Sequence, residues 1–217
     1  MPSVLNYPLY GKLKNIFIYG HSMNELEGFY NDMIAFKDQS VLVNFLDNHD
    51  NPRFLNLTSN SIAFKSYIAF TLSSIGIPVV YYGSEQGFTG GGNSSCREGL
   101  FEHQMDMQSP YYKFISLVLK YRSKMGFNNY SQIQRYSDPD FYAFTRGQTF
   151  MAFTNKWYKV QREIIYHPYP EGTVLCNIFW ESDCITVKNS KFTVSLMDAE
   201  TKILIPKENL IIQGSRK

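Results

Sequence analysis

The segment Val41-Leu-Val-Asn-Phe-Leu-Asp-Asn-His-Asp-Asn-Pro-Arg53 joins a short apolar run to a cluster of polar residues. An apolar run of this length that ends in Asp, Asn and Pro is typical of a buried strand that enters a loop. A second run, Gly76-Ile-Pro-Val-Val-Tyr-Tyr82, has the same form and leads into a glycine-rich stretch. The two segments predict two buried strands, each followed by a polar loop.

Helices are predicted around these strands. Ser22-Met-Asn-Glu25 has the form of a capping box, and Ser109-Pro110 places Pro at the first position of a second helix that ends before Gly126. The stretch Ile62–Ile75 is apolar on nearly all sides, as expected of a helix packed between neighbours. The apolar faces of the first and last helices are formed by Leu26, Phe29, Tyr30, Met33 and Ile34, and by Phe114, Leu117, Val118 and Tyr121. Alternating strands and helices favour parallel βα units.

After residue 127 the helical period disappears. Two β-like runs, Phe141–Thr145 and Thr149–Thr154, flank the short turn at Gly147 and predict a hairpin. Further short runs of this kind lie at 162–166, 173–179, 184–187, 192–196, 202–205 and 209–212. We therefore predict an α/β part over residues 1–126 and an antiparallel β-sandwich over residues 127–217.

The composition excludes several classes of protein. The chain has 217 residues, of which 44% are hydrophobic, so it can bury a core and is not disordered throughout. Its 21 Lys and Arg against 19 Asp and Glu give a net charge of +2, which is no sign of a nucleic-acid surface. No apolar run reaches the roughly 20 residues of a membrane helix. The N-terminal segment lacks the pattern of a signal peptide, and the compartment stays open.

The cysteines and histidines disfavour a zinc site. None of Cys96, Cys176 and Cys184 forms a CxxC pair, and the four histidines are scattered along the chain. Cys176 and Cys184 lie in the strand-rich part, where they either close a hairpin disulfide or remain two free buried thiols.

Polar side chains follow both predicted strands. Asp47, His49 and Asp50 come after the first strand, and Glu85 and Gln86 come after the second. Ligands of parallel α/β folds bind at the carboxyl ends of the strands, where carboxylates and an imidazole can hold sugar hydroxyls or a developing positive charge. The alternative is structural: Asp47 caps a turn, His49 is an ordinary loop histidine, and the polar groups after the second strand bond to backbone. The residue pattern alone favours this alternative.

The exact order of residues in four segments resembles that of a known protein family. Phe45-Leu-Asp-Asn-His-Asp-Asn-Pro-Arg53 resembles the strand-seven signature of the α-amylase family of glycoside hydrolases. Val4–Tyr10 is similar to the family's sixth strand, Gly76–Gln86 to its eighth, and Gly90–Glu98 to the following loop of fungal-type α-amylases. The resemblance implies that residues 1–126 form the last three βα units of a TIM (β/α)8 barrel, and that residues 127–217 form the family's C-terminal antiparallel β-sandwich domain.

The resemblance also implies roles for four residues. Asp50 matches the carboxylate that stabilises the oxocarbenium-like transition state, and His49 matches a histidine that hydrogen-bonds the same sugar. Arg97 matches a loop arginine that contacts glucose units further from the cleaved bond. Its usual partner is an aspartate, and Asn93 stands at that position, where it also begins the sequon Asn93-Ser-Ser. This departure removes a charge and puts binding of the outer glucose units in doubt.

A retaining glycosidase needs two carboxyl groups about 5–5.5 Å apart, a nucleophile and a general acid/base. In the family these are an Asp ending strand four and a Glu ending strand five, both before the segment that resembles Val4–Tyr10. We therefore expect this chain alone to be inactive towards the α-1,4 bonds of starch, glycogen or maltooligosaccharides. The family's calcium site is held largely by an earlier segment, so no cofactor is expected in this chain.

Three interpretations stay open, because a complete barrel takes about 250 residues and this chain has 217. The first is the carboxyl-terminal part of a truncated α-amylase-type hydrolase, from a family that is usually secreted. The second is a non-catalytic pseudoenzyme that binds glucans or another protein through Asp50, His49 and Arg97. The third is an interaction protein whose open barrel edges and apolar faces are covered by a complementary chain.

Overall fold

The computed structural model describes residues 3–103 and 105–211, and in it an α/β part precedes an antiparallel part. Strands β1, β2 and β3 form a parallel sheet in that order, with Val4 opposite Leu42 and Val43 opposite Ile77. The elements of this part are β1 (Val4–Leu5), α1 (Tyr7–Phe17), α2 (Glu25–Met33), β2 (Leu42–Phe45), α3 (Phe54–Leu57), α4 (Ser61–Ser73), β3 (Ile77–Val79) and α5 (Pro110–Lys124). The parallel βα organisation predicted from the apolar period is confirmed.

The start of the chain differs from the prediction. The segment Val4–Tyr10 resembles a strand, yet only Val4 and Leu5 are extended. Helix α1 begins at Tyr7, because the Asn6 side chain caps it by accepting the Leu9 N–H at 3.2 Å and Pro8 stands in its first turn. Its buried residues are Leu9, Tyr10, Leu13, Ile16 and Phe17, which is a helical period.

The predicted capping box before α2 is also wrong. The Ser22 hydroxyl donates to Asn24 Oδ1 at 2.7 Å and does not cap the helix, which begins at Glu25. Leu26, Phe29 and Met33 are buried as predicted. Ile34 is 73% exposed, because it lies beyond the end of the helix at Met33.

The antiparallel part contains two sheets. One has six strands in the order β4-β5-β6-β11-β8-β9, and the other pairs β10 with β7. The strands are β4 (Gln132–Ser137), β5 (Tyr142–Arg146), β6 (Thr149–Phe153), β7 (Val160–Ile164), β8 (Val174–Asn177), β9 (Trp180–Thr186), β10 (Phe192–Leu196) and β11 (Thr201–Pro206). The predicted hairpin is confirmed as β5 and β6, in which Arg146 pairs with Thr149 across the turn.

The last predicted strand, 209–212, is wrong where it is described. Residues 207–209 form a single 3-10 turn, and residues 210 and 211 belong to no strand. Residue 212 lies outside the described residues.

The apolar core of the α/β part continues onto the six-stranded sheet. Phe70 of α4 packs against Phe144 and Phe153, with ring centroids 5.6 and 5.0 Å apart. The opposite face of the same hairpin, including Phe141 and Phe150, closes a second core inside the sandwich. Residue 127 therefore marks a change of secondary structure, whereas the first core extends across it.

Helix α4 is buried along most of its length, which agrees with the apolar character predicted for it. It begins at Ser61 because the Asn60 side chain accepts the N–H groups of Ile62 and Ala63. No helix among residues 3–103 and 105–211 is long and apolar enough to cross a membrane.

Cys176 and Cys184 pair across β8 and β9 and are joined as a disulfide, with the sulfurs 2.00 Å apart. Cys96 is a buried free thiol. The disulfide ties the last strand of the six-stranded sheet to its neighbour.

Strands β1 and β3 form the two edges of the parallel sheet and are largely exposed. Val4 and Leu5 are 49% and 57% exposed, and Ile77 and Val79 are 42% and 39% exposed. Apolar residues at this level of exposure are unusual for strands of a parallel sheet, which are normally covered on both faces.

Candidate functional site

The candidate site lies where β2 ends. A turn centred on Asn48 follows the strand, because its side-chain oxygen accepts the N–H groups of Asp50 and Asn51 at 2.9 and 3.0 Å. Asn side chains favour turns of this kind by bonding the backbone two residues on. The turn leaves the side chains of His49 and Asp50 61% and 53% exposed.

Asp50 is the centre of a small polar cluster. Its Oδ1 lies 3.3 Å from His49 Nε2 and 3.7 Å from a terminal nitrogen of Arg97. Arg97 also donates from Nε to the carbonyl of His49 at 3.0 Å. The structure therefore brings together three of the residues singled out in the sequence. Because all three side chains are about half exposed, their ion pairs are screened by water and the cluster is accessible to a ligand.

Asn93, the fourth of those residues, is exposed and has a φ of 55°, a left-handed conformation that Asn tolerates. Among the described residues, Arg97 bonds to Asp50 and His49 and makes no hydrogen bond to the Asn93 side chain. The side-chain partner of Arg97 here is thus the carboxylate of Asp50.

Next to this exposed cluster lies an ion pair between the buried Arg53 and the partly buried Glu98, which the sequence does not predict. Arg53 is fully buried, and its Nε donates to Glu98 Oε2 at 2.6 Å. The guanidinium group also lies over the Tyr81 ring, 4.6 Å from its centroid. Glu98 follows Arg97 directly in sequence, so the pair fixes the backbone on which Arg97 is carried.

The backbone around Gly90 completes the connection between the two loops. Glu98 Oε1 accepts the Gly90 N–H at 2.6 Å, and the Gly90 carbonyl accepts the Arg53 N–H at 3.0 Å. A Cβ atom at position 90 would lie 2.1 Å from the carbonyl oxygen of Ser95, so only glycine fits there. The glycine-rich stretch therefore allows the loop after β3 to pack closely on the loop after β2.

Asp47 has the structural role that the residue pattern favoured. Its carboxylate is buried, accepts the N–H of Phe54 at 2.9 Å and accepts the hydroxyl of Ser84 at 2.7 Å. Burial raises the pKa of the Asp47 carboxyl, and this effect outweighs its hydrogen bonds and the nearby charge of Arg53. Asp47 thus ties α3 to the loop after β3 and is not accessible to a ligand.

Of the two polar residues after β3, Gln86 bonds to backbone through its side chain, whereas Glu85 takes part through its own carbonyl. Gln86 Oε1 accepts the Asp106 N–H at 2.9 Å, and the carbonyl of Glu85 accepts the Ser109 hydroxyl at 2.7 Å. Ser109 precedes α5 as predicted, yet its hydroxyl bonds to this carbonyl and does not cap the helix.

Among residues 3–103 and 105–211, no group of three or more His, Cys, Asp or Glu residues is arranged to hold a metal ion.

Comparisons with known proteins agree with this geometry. The family model for the alpha amylase catalytic domain matches residues 14–156. An alpha-amylase of Saccharomycopsis fibuligera is 31% identical over 216 residues, covering 95% of this chain and 43% of the relative. The structure of an alpha-amylase from Malbranchea cinnamomea superimposes with a TM-score of 0.89 at 26% identity, covering 98% of this chain and 47% of that one.

A more distant structure shares the fold. An alpha-amylase from Geobacillus thermoleovorans, solved in complex with acarbose, matches with a TM-score of 0.78 at 19% identity over 93% of this chain and 47% of that one. The chain spans less than half the length of the curated relatives it matches. It covers 18% of a beta/alpha-amylase of Paenibacillus polymyxa, 28% of an alpha-amylase of Schwanniomyces occidentalis and 43% of the Saccharomycopsis fibuligera enzyme. Taken with the site at the end of β2, these matches show that the chain belongs to the α-amylase family of glycoside hydrolases.

Proposed function

We propose that this chain carries the part of an α-amylase-type site that binds the sugar and stabilises the transition state. The family reaction is hydrolysis of α-1,4-glucan bonds with retention of configuration. The observation that carries the proposal is the exposed Asp50 at the carboxyl end of β2, flanked by His49 and Arg97. In this proposal β1, β2 and β3 are the sixth, seventh and eighth strands of a TIM barrel, and residues 127–217 are the C-terminal sandwich domain.

The cluster is suited to that role by its chemistry. Cleavage of a glycosidic bond develops positive charge on the sugar ring, and a fixed carboxylate close to the ring lowers the energy of that state. Asp50 supplies the carboxylate, and His49 orients it and offers a ring nitrogen to a sugar hydroxyl. Arg97 reaches the outer side of the cluster, where it supplies further donors to a bound glucan. Asn93 lies on the same loop as Arg97, where it is an uncharged residue next to the proposed positions of the outer glucose units.

We further propose that the chain alone does not turn over starch. The reaction needs a nucleophile and an acid/base in addition to Asp50. Two neighbouring carboxylates are already engaged, since Asp47 is buried and bonded and Glu98 is paired with Arg53. In a reducing-sugar assay on purified chain we expect no release above a buffer control. Turnover that disappears in Asp50→Ala would overturn this expectation.

Binding tests the proposed site directly. Calorimetric titration of the chain with acarbose is expected to show binding that weakens by roughly 10-fold or more in Asp50→Ala, as for a lost charged hydrogen bond worth about 1.5–3 kcal/mol. Asp198→Asn is the matched control, because Asp198 is exposed in the antiparallel part and has a φ of 52°, which Asn accepts. Equal affinities of Asp50→Ala and Asp198→Asn would contradict the proposal.

A second candidate function is non-catalytic: a pseudoenzyme that binds glucans or a protein partner. The exposed edge strands β1 and β3 favour a partner, such as a complementary chain that covers them. Two measurements separate the candidates. Loss of glucan affinity in His49→Ala, together with no starch hydrolysis in the presence of any co-purified chain, supports a binding protein, whereas co-purification of a chain that restores starch hydrolysis supports a hydrolase assembled from two parts.

A further inference from the structure

A second polar cavity lies at the opposite end of the parallel sheet. Its volume is about 440 Å³, and it opens beside the amino end of β3, whereas Asp50 follows the carboxyl end of β2. Because the strands are parallel, these two ends lie on opposite sides of the sheet. The cavity is lined by Ser40, Gly76, Pro78, Arg122, Asn128 and Arg146. No step of the proposed function uses it.

Two arginines of this cavity are nine-tenths or more buried. Arg122 of α5 is 8% exposed and donates to the carbonyls of Leu72 and Gly76 at 2.6 and 3.0 Å, and to Asn128 Oδ1 at 2.8 Å. Arg146 of β5 is 2% exposed. It donates to the carbonyls of Tyr130, Ser73 and Phe127.

These hydrogen bonds position the guanidinium groups but do not neutralise them. Among the described residues, no Asp or Glu oxygen lies within 4.0 Å of either arginine. Burial lowers the pKa of both groups, and the charge of Arg122 helps to lower the pKa of Arg146 to about 10. Buried charges in proteins are normally paired, because an unpaired charge is costly to remove from water.

The nearest negative potential is that of a helix end. The carbonyls of Leu72 and Ser73 belong to the last turn of α4, and the carboxyl end of a helix carries roughly half an elementary charge. This offsets only part of two full positive charges. Each guanidinium has five N–H donors, and the described partners take three from each, so donors remain for a further acceptor.

We propose that this cavity binds an oxyanion of phosphate size between Arg122 and Arg146. Guanidinium groups match the geometry of phosphate oxygens, and the Ser40 hydroxyl and Asn128 amide line the same space. The volume of 440 Å³ is many times that of one water, about 30 Å³, so it accommodates a phosphate ester as well as free phosphate.

Calorimetry and thermal unfolding test the proposal on the purified chain. Titration with sodium phosphate at constant ionic strength, made up with chloride, is expected to give saturable binding and a saturable rise in Tm. A parallel titration of Asp50→Ala with glucose 6-phosphate, in which the proposed sugar site is weakened, separates a phosphate ester from free phosphate as the ligand, and saturable binding of either one supports the site. Absence of saturable binding of both ligands, or a Tm that rises without saturation, would overturn it.

A pair of variants locates the anion. Arg122→Gln is expected to weaken phosphate binding at least 10-fold, while Lys124→Gln, which removes an equal charge from the exposed last turn of α5, leaves it within about twofold. Equal weakening by both variants refutes a specific site. Should Arg122→Gln fail to fold, the side-chain Nε–H NMR signals of Arg122 and Arg146 in the unaltered chain decide. They shift with phosphate if the proposal holds, and stay fixed if it is wrong.

Discussion

At the scale of single residues, the ion pair between Arg53 and Glu98 is the main support of the site. Arg53 is fully buried, and its two terminal nitrogens make no hydrogen bond in the described structure. Its charge is balanced chiefly by Glu98, with the Asp47 carboxylate 4.0 Å away and the Tyr81 ring below it. Removing either partner would leave an uncompensated charge beneath Asp50 and Arg97.

The first prediction concerns that pair. Glu98→Gln is expected to lower the free energy of unfolding by roughly 3 kcal/mol, in the range seen when a buried ion pair loses one partner. Urea unfolding followed by circular dichroism measures the change. Glu102→Gln is the control, since Glu102 is exposed on the same loop and its loss is expected to cost no more than about 0.5 kcal/mol. A cost for Glu98→Gln as small as that of the control would show that the pair contributes little.

The second prediction follows from the buried carboxyl of Asp47, whose pKa is raised in the folded chain. A raised pKa means that the folded state holds its proton more tightly than the unfolded state, whose Asp pKa is about 3.9. The stabilisation is therefore complete below about pH 4 and is lost as the pH rises through the folded pKa. Asp47→Asn removes this dependence.

Thermal unfolding between pH 3 and pH 7 checks the effect of Asp47. We expect the Tm of Asp47→Asn minus the Tm of the unaltered chain to increase as the pH rises. Asp198→Asn, at an exposed position, is expected to track the unaltered chain. A difference between Asp47→Asn and the unaltered chain that does not vary with pH would contradict the raised pKa.

The residue scale also shows what the sequence could not reveal about the site. Asp50, His49 and Arg97 were singled out because they stand in recognisable segments, and the structure brings them together. Arg53 and Glu98 stand in the same segments. These two residues are 45 positions apart, however. Neither the spacing of apolar residues nor the turn residues of a segment predicts a contact between residues so far apart in sequence. The only signal was two opposite charges at the ends of the two segments.

At the scale of secondary-structure elements, the successful predictions rest on apolar period and turn residues. β2, β3, α4, α5 and the β5–β6 hairpin were predicted in place. Helix α1 is not predicted, because Val4–Tyr10 resembles a strand, whereas the structure shows a helical spacing of the buried residues from Leu9 to Phe17. The capping box before α2 failed, because Ser22 bonds to the neighbouring Asn24 side chain in preference to the helix.

The third prediction belongs to α4, which packs on both the parallel sheet and the antiparallel part. Phe70→Ala is expected to lower the free energy of unfolding by about 3–5 kcal/mol, as for other buried aromatic residues. Because Phe70 contacts the six-stranded sheet, both parts of the chain should unfold together. Ile34→Ala, at an exposed position, is the control and is expected to cost little.

Two spectroscopic probes report separately on the two parts. Both tryptophans, Trp157 and Trp180, lie in the antiparallel part, whereas α1 to α5 lie in the α/β part. Tryptophan fluorescence and helical circular dichroism are therefore expected to give the same midpoint in urea. Distinct midpoints would show instead that the sandwich folds by itself, and would favour the division at residue 126.

At the scale of the whole molecule, several contacts cross between the two parts. The Asn155 side chain donates to the carbonyls of Ile16 and His21, and the Ser66 hydroxyl donates to the carbonyl of Ala199. Arg146 reaches from β5 to the carbonyl of Ser73. The sequence predicted two parts correctly as regions of different secondary structure, but these contacts depend on the three-dimensional packing of distant segments and left no local pattern.

The packing of Phe70 on Phe144 and Phe153 has a consequence for how such chains are recombined. The change from helix to strand near residue 127 is a tempting point at which to join this chain to the corresponding half of a relative. A junction there replaces the side chains on one side of the shared core and keeps those on the other side. In a chimaera joined at that point, the core side chains of α4 and of the β5–β6 hairpin come from different proteins and do not fit each other. The two parts should therefore be exchanged together.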